Sequence, residues 1–412
     1  MCLVYCVAVI NRAPHSRLND ISFSAIAMGL LAAIVGFAGS FTVVLQGFRS
    51  AGASEAEAAS ALMALTVGMG VSGIMLAWRY RMPIGVAWST PGSALLISSG
   101  AVLSSVNVAI GAYLFSAVLL IIAGVFRPLG RLIEAIPSSL ANAMLAGVLL
   151  MICVAPVQAL ASETLLALPV VLTWYVVGRY RRMLAVPAAL LVLVPIVLLH
   201  IGVPDEFAAE FRHALKPAPI LLMPQFEIDA LVSIGIPLFV VTMASQNVPG
   251  IAVLRANGYA PKARPLITNT GIFSLLTAPF GSHGINLAAI TAAMMSGADS
   301  HPDASRRYWA AVVAGLAYIV MGLLAGAISL LVTLLPQIIV QAIAGLALLG
   351  SFTGALVSAF AVEQEREAAA VTFLFAASGL TLLSVGGAFW GMLVGGVMLY
   401  LLKRKRMSQI HE

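Results

Sequence analysis

Charge is what this chain has least of. Lys, Arg, Asp and Glu make up only 9% of its 412 residues, against about 25% in a soluble domain, and that excludes a packed soluble core of this size. Cysteine is nearly absent. Cys2 and Cys6 fall in the first ten residues and Cys153 in an apolar run, with no His or Cys neighbours at metal-ligand spacing. There is also no His-x-x-x-His, no paired carboxylate inside an apolar run and no phosphate loop. An enzyme is therefore not expected, and neither is a metal or other cofactor. The formal charge is +6, yet the bases come in scattered pairs between apolar runs. That pattern sets membrane orientation and argues against a nucleic-acid partner.

What is present is hydrophobic sequence: 61% of residues, with a mean hydropathy of +1.03. Apolar runs of around 20 residues recur from Ile21 to Leu402, the signature of an all-α polytopic membrane protein. Charge and Pro/Gly clusters divide them into fourteen segments. Seven lie at about 21–45, 56–77, 83–104, 107–126, 132–154, 163–178 and 184–201. Seven more lie at about 229–248, 264–278, 279–296, 308–330, 335–352, 366–383 and 385–402. Between the halves, residues 204–227 form a loop with several prolines and Asp205, Glu206, Glu210, Arg212, Lys216 and Glu227. Residues 1–20 read as an N-terminal extension, whose apolar Met1–Ile10 is too short to span and lacks a signal peptide's basic start and cleavage site; 403–412 read as a cytoplasmic tail.

An N-terminus inside puts Arg12, Arg17, Arg79, Arg81, Arg127, Arg131, Arg179, Arg181 and Arg182 in inner loops. In the second half it does the same for Arg255, Lys262, Arg264, Arg306, Arg307, Arg366 and Lys403–Arg406, leaving outside only Arg49, Arg212 and Lys216. This asymmetry predicts fourteen crossings with both termini cytoplasmic. Because seven is odd, the halves insert in opposite senses, and sequence similarity between them makes an inverted repeat. Pro83-Ile-Gly-Val-Ala-Trp-Ser-Thr-Pro-Gly92 of segment three parallels Pro279-Phe-Gly-Ser-His-Gly-Ile-Asn286 of segment ten. Ile136-Pro-Ser-Ser-Leu-Ala-Asn-Ala-Met-Leu-Ala-Gly147 of segment five parallels Leu335-Pro-Gln-Ile-Ile-Val-Gln-Ala-Ile-Ala-Gly345 of segment twelve.

Segments three and ten carry the site. Each opens with Pro-x-Gly, runs through a few extended residues and then starts a helix at membrane depth, where irregular backbone is tolerated only in protein or around a cavity. Ser89, Thr90 and Pro91 predict one helix start, with a hydroxyl cap; Asn286 or Ser282 is the expected cap of the other. Two half-helix N-termini, each equivalent to about +0.5 charge, make an anion site without Lys or Arg. The competing reading is a pair of proline-kinked spans packed together. Amides at membrane depth are Gln46, Asn142, Gln246, Asn247, Asn286 and Gln341; Gln246 and Asn247 are candidates to bond a carboxylate, whereas Gln46, Asn142 and Gln341 read as helix-joining. His283 is the one histidine at predicted membrane depth. An ionisable residue there is a functional candidate, and the ordinary imidazole pKa of about 6.5 suits proton exchange; the plainer reading is a neutral ring bonded to free carbonyls. Trp88, Phe280, Phe37 and Phe41 are candidates to wall a pocket around an aromatic ring, though aromatics at such positions also serve as packing.

At these residues the chain resembles the bacterial benzoate–proton symporter family (BenE type). The motifs are Ala87-Trp-Ser-Thr-Pro-Gly-Ser-Ala-Leu95, Thr242-Met-Ala-Ser-Gln-Asn-Val-Pro-Gly-Ile251 and Pro279-Phe-Gly-Ser-His-Gly-Ile-Asn-Leu-Ala-Ala-Ile-Thr291, within a resemblance running from about Ile21 to Leu402. The resemblance implies a uracil-permease-like architecture of seven-plus-seven inverted repeats. It implies a core (transport) domain of 21–126 and 228–330 and a gate domain of 127–203 and 331–402. Nucleobase permeases carry acidic residues where this chain has Gln246 and His283, a departure that fits a carboxylate cargo. The resulting expectation is proton-coupled import of benzoate or a related aromatic carboxylate across the bacterial inner membrane. Trp88, Ser89, Thr90, Gly92, Gln246, Asn247, Phe280, His283, Gly284 and Asn286 would bind it, with His283 the proton-coupling candidate and the substrate carboxyl the other route for the proton. A nucleobase or other anion permease, an anion channel and a non-transporting receptor remain as alternatives. The partners expected are benzoate, a proton and membrane lipid, with a possible homodimer through segments five and twelve, which are apolar and rich in small residues.

Overall fold

The computed structural model describes residues 21–99, 103–126, 137–196, 206–382 and 385–410. The N-terminal extension, the loop carrying Arg127, Arg131 and Glu134, and His200 and Asp205 lie outside the described residues. The protein is mostly helical. In chain order the first half holds α1 (Phe23–Ala38), α2 (Phe41–Ser50), α3 (Glu55–Tyr80), β1 (Val86–Trp88), α4 (Thr90–Ser99), α5 (Val106–Val125), α6 (Ser138–Ser162), α7 (Thr164–Tyr180) and α8 (Ala185–Ile196). The connecting segment holds α9 (Phe207–Ala214). The second half holds α10 (Ile228–Ala256), α11 (Ala263–Thr277), β2 (Ile285–Leu287), α12 (Ala289–Ser296), α13 (Tyr308–Leu323), α14 (Ala325–Thr333), α15 (Gln337–Ala359), α16 (Arg366–Ala377), a short hairpin β3–β4 (Thr381–Leu382, Val385–Gly386) and α17 (Gly387–Ile410).

By length and composition six described helical stretches are long and apolar enough to cross a membrane, or seven if the pair bent by 59° at Leu324 counts as one. Other described stretches are shorter: α8 has 12 described residues, about 18 Å at 1.5 Å per residue against a hydrocarbon core of about 30 Å. The expected first segment is broken at Gly39-Ser40, with α2 continuing to Ser50. Segment eight also runs further than expected, to Ala256. It widens into π-helical turns at Leu231–Gly235 and Met243–Asn247. Each wide turn ends two residues before a proline, Pro237 or Pro249. A proline ring has no N–H to give and crowds the carbonyl four residues back, here Ser233 or Ser245.

The two halves are related through the strand pair. β1 and β2 are antiparallel with Val86 opposite Leu287, Ala87 opposite Asn286 and Trp88 opposite Ile285. Beyond each end one further bond repeats: Ser89 N–H to Gly284 O at 3.3 Å and Ala288 N–H to Gly85 O at 2.9 Å. Exchanging the halves therefore equates Gly85 with Gly284, Trp88 with Leu287 and Ser89 with Ala288. This corrects the sequence alignment of segments three and ten: Pro83 corresponds to Ser282, and its match to Pro279 is three residues out of register. The alignment of segments five and twelve stands, since α6 and α15 begin directly after Pro137 and Pro336, in near-identical extended conformations.

Helix packing follows the same exchange. α3 packs on α13 as α11 packs on α5, while α6 and α15 pack on each other. At the α6–α15 contact Gly345 permits close approach, because a Cβ there would lie 2.3 Å from Ile152 O. α16 packs on α6 and α17, and α7 on α8. The connecting segment is an ordered strap: Ile220 N–H reaches Ser60 Oγ (2.8 Å), Leu222 N–H reaches Pro279 O (2.8 Å) and Gln225 N–H reaches Asn107 O (2.9 Å).

Candidate functional site

Two short helices start beside the strand pair, and their N-termini are not alike. α4 begins at Thr90, as its sequence predicts. The Ser89 hydroxyl accepts the Gly92 N–H (3.1 Å) and also a bond from Thr242 Oγ1 of α10 (3.0 Å). Gly92 is needed there, since a Cβ would lie 2.8 Å from Ser89 Oγ and 2.6 Å from Leu238 Cδ1. With Ser89 N–H bonded to Gly284 O and no N–H on Pro91, only Thr90 is left with a spare amide in this first turn.

The second half-helix starts later than expected. Gly284, at φ +154°, continues the backbone into β2, and α12 begins at Ala289. Its N-cap is Ala288, with no side-chain cap, so neither Asn286 nor Ser282 plays that part. Asn286 is held in the strand, and the Ser282 hydroxyl accepts from Thr277 Oγ1 at 3.0 Å. The amides of Ala289, Ile290 and Thr291 thus lack a side-chain acceptor at the positive end of α12.

Asn286 stands two residues before the N-cap of this helix. It is completely buried, and neither polar atom of its amide has a hydrogen-bond partner among the described residues. Such a group carries a penalty of about 1–3 kcal/mol if nothing bonds it. Opposite it lies the half-buried Ala87. Asn247, expected as a substrate donor, is engaged elsewhere: its Oδ1 accepts the Leu287 N–H (2.9 Å) and its Nδ2 faces Met243 Sδ (3.4 Å). Gln246 lies half-buried in the wide turn of α10.

An aromatic wall stands on the other side. Trp88 is buried, its ring 5.2 Å from Phe37, which stacks on Phe41 at 5.4 Å. The Ser40 hydroxyl accepts from Trp88 Nε1 (2.8 Å) and from Thr90 Oγ1 (3.3 Å), so the break between α1 and α2 fixes both. Ser40 was not singled out by its sequence; the only signal was Gly39-Ser40 interrupting an apolar run. Phe280 lies apart, in a turn whose carbonyl accepts from Ser60 Oγ near the strap (3.5 Å).

His283 crosses from the second half to the first. It is buried, and its Nε2 lies 2.9 Å from both the Ser89 carbonyl and Ser93 Oγ. A carbonyl only accepts, so Nε2 carries the hydrogen and Nδ1 is the remaining basic position. Nδ1 has no hydrogen-bond partner among the described residues. Phe48 packs edge-on against the imidazole at 5.4 Å, and Tyr113, whose buried hydroxyl also has no partner, lies at 6.4 Å. Tyr113 is a further residue that hydropathy alone did not distinguish from packing.

Ser89, Gly92, His283 and Gly284 therefore form one network, and Trp88 and Thr90 a second through Ser40. Asn286 belongs to β2 and Asn247 of α10 bonds to that strand through the Leu287 N–H, while Phe280 stands outside all three. The described acidic side chains lie at helix ends and in loops. The arrangement sets neutral donors on one face of the strand pair and the tilted Trp88 and Phe37 rings on the other.

A family model described as "Benzoate membrane transport protein" (BenE) matches residues 19–401. The Escherichia coli (strain K12) "Inner membrane protein YdcO" is 40% identical over 382 residues, covering 92% of this chain and 96% of that protein. The "Benzoate membrane transport protein" of Acinetobacter baylyi is 31% identical over 398 residues, covering 95% and 98%. In fold the chain resembles the transmembrane domain of the cyanobacterial bicarbonate transporter BicA (TM-score 0.58, 12% identity, 91% of this chain and 98% of that one). It also resembles SLC26A9 (TM-score 0.55, 12% identity, 96% and 72%).

Proposed function

The chain belongs to the BenE family of membrane transporters, and from that premise we propose that it imports benzoate or a related aromatic carboxylate together with a proton, by alternating access. The observation that carries this reading is the uncapped start of α12 beside the unpartnered Asn286 amide, with the Trp88–Phe37–Phe41 rings on the opposite face of the strand pair. The carboxylate lies at the amides of Ala289, Ile290 and Thr291, with Thr90, Gln246 and Asn286 supplying further donors. The ring lies toward Trp88. No acidic side chain is there to repel the anion, and the helix end stabilises it by about 0.3–2 kcal/mol.

Coupling follows from charge. Moving an anion inward against a negative interior costs about 2.3 kcal/mol per 100 mV, and one accompanying proton removes that cost. His283 Nδ1 takes the proton in this proposal. A lone charge of either sign is costly at membrane depth, whereas carboxylate and imidazolium together cancel. Each therefore favours binding of the other.

The moving parts in this reading are a core of 21–126 and 228–330 and a gate of 127–203 and 331–402. The contacts of α3 with α13 and α5 with α11, against those of α6 with α15 and α16, support that division. The chain crosses the inner membrane fourteen times with both termini cytoplasmic, following the distribution of its bases. Competition in proteoliposomes tests the cargo: benzoate and close analogues should displace labelled benzoate, while uracil, sulfate and bicarbonate should not. Displacement by bicarbonate or uracil at equal concentration would refute the assignment.

A further inference from the structure

The outer face of α3 holds an open groove of about 720 Å³, lined by Val71, Ile74, Met75, Trp78 and Arg79. Val71 and Met75 are exposed, at 38% and 51%, and in an integral membrane protein this face meets lipid. From Val71 to Arg79 the helix rises about 12 Å, close to the roughly 15 Å depth of one leaflet's hydrocarbon. The groove therefore runs from near the bilayer midplane to the headgroup level.

Its upper end is built differently from its floor. The Trp78 ring packs edge-on against Trp309 at 5.6 Å and Tyr308 at 6.3 Å, giving a rigid aromatic ledge of the type that sits at a membrane interface. Arg79 is exposed beside that ledge. Its guanidinium lies over Tyr80 at 5.5 Å and makes no ion pair among the described residues. An apolar trough one leaflet long, ending at a cation that no carboxylate neutralises, complements an acyl chain that ends in an anionic phosphodiester.

We propose that this groove is a binding site for one anionic phospholipid of the inner leaflet, with an acyl chain along Val71, Ile74 and Met75 and its phosphate at Arg79. One juxtamembrane arginine contributes about 1 kcal/mol toward anionic lipid, or roughly a fivefold preference. Native mass spectrometry of the full chain from mixed micelles reads this directly, as retained phosphatidylglycerol against phosphatidylcholine. The wild type should retain phosphatidylglycerol about fivefold more often. Arg79→Gln should equalise the two lipids, and Met75→Trp, which fills the trough, should lose both. Uptake activity of each variant confirms folding, since neither residue belongs to the substrate site. Equal retention of both lipids by the wild type, or an undiminished preference in Arg79→Gln, overturns the proposal. So does efficient disulfide cross-linking of Met75→Cys between two chains, which would make a second copy the occupant.

Discussion

Asn286 offers a test in which stability and binding move in opposite directions. Its amide is fully buried with both polar atoms unpartnered. Replacement by leucine, of similar volume, removes two groups that each cost about 1–3 kcal/mol when unsatisfied. Asn286→Leu should therefore raise the thermal unfolding midpoint of the substrate-free protein, by a few degrees on the order expected for such a gain. The same change removes a donor to a carboxylate, a charge-assisted bond worth about 1.5–3 kcal/mol, so benzoate affinity should fall by about 10- to 100-fold. Thermal unfolding with and without benzoate, together with equilibrium binding, measures both in one preparation. A destabilised variant with wild-type affinity would refute the reasoning and make Asn286 a structural strut of β2.

Three further changes probe the surroundings. His283→Gln keeps a donor for the Ser89 carbonyl but no site for a proton, so benzoate uptake should lose its dependence on an inward pH gradient; unchanged dependence would eliminate His283 as the carrier. Ser89→Ala removes the acceptor of the Gly92 N–H and Thr242 Oγ1 and should destabilise the protein by about 0.5–2 kcal/mol, the usual loss for an N-cap, with Ser89→Thr recovering most of it in thermal unfolding. Glu365 lies between the membrane spans, where Ser139 Oγ donates to its Oε2 at 2.6 Å and Lys403 Nζ lies 3.0 Å from its Oε1. The Ser139 bond first, and Lys403 after it, hold this carboxyl below its ordinary range. A depressed pKa contributes stability that is present above the unfolded value, about 4.3 for Glu, and disappears as pH falls through the folded value. Glu365→Gln should therefore flatten the acid side of the midpoint-against-pH curve; an unchanged acid limb would show that the contact contributes nothing.

Hydropathy and punctuation made much of the fold legible. Each apolar run contains a described helix, with segments three and ten opening as strands, and Pro137 and Pro336 mark the equivalent starts of α6 and α15. Ser89-Thr90-Pro91 announced the start of α4 because a cap and its helix are neighbours in the chain. What was not legible depends on partners far away in sequence. The register of β1 on β2 decides that Gly85 corresponds to Gly284, and a recurring Pro-x-Gly pattern pointed three residues astray. Asn247 looks like a free amide until Leu287 is placed beside it. Ser40 looks like a break in a helix until Trp88 and Thr90 converge on its oxygen. Asymmetry between the two half-helices, one capped by Ser89 and the other ending at Ala288, likewise emerges only when both are seen.

The most direct measurement uses proteoliposomes that contain an entrapped pH-sensitive dye and are held at a clamped membrane potential. Adding benzoate outside should acidify the lumen in step with uptake of labelled benzoate, saturably, at one proton per anion and far above protein-free liposomes. Saturable benzoate uptake without acidification, or no uptake above the protein-free control, would contradict proton-coupled import.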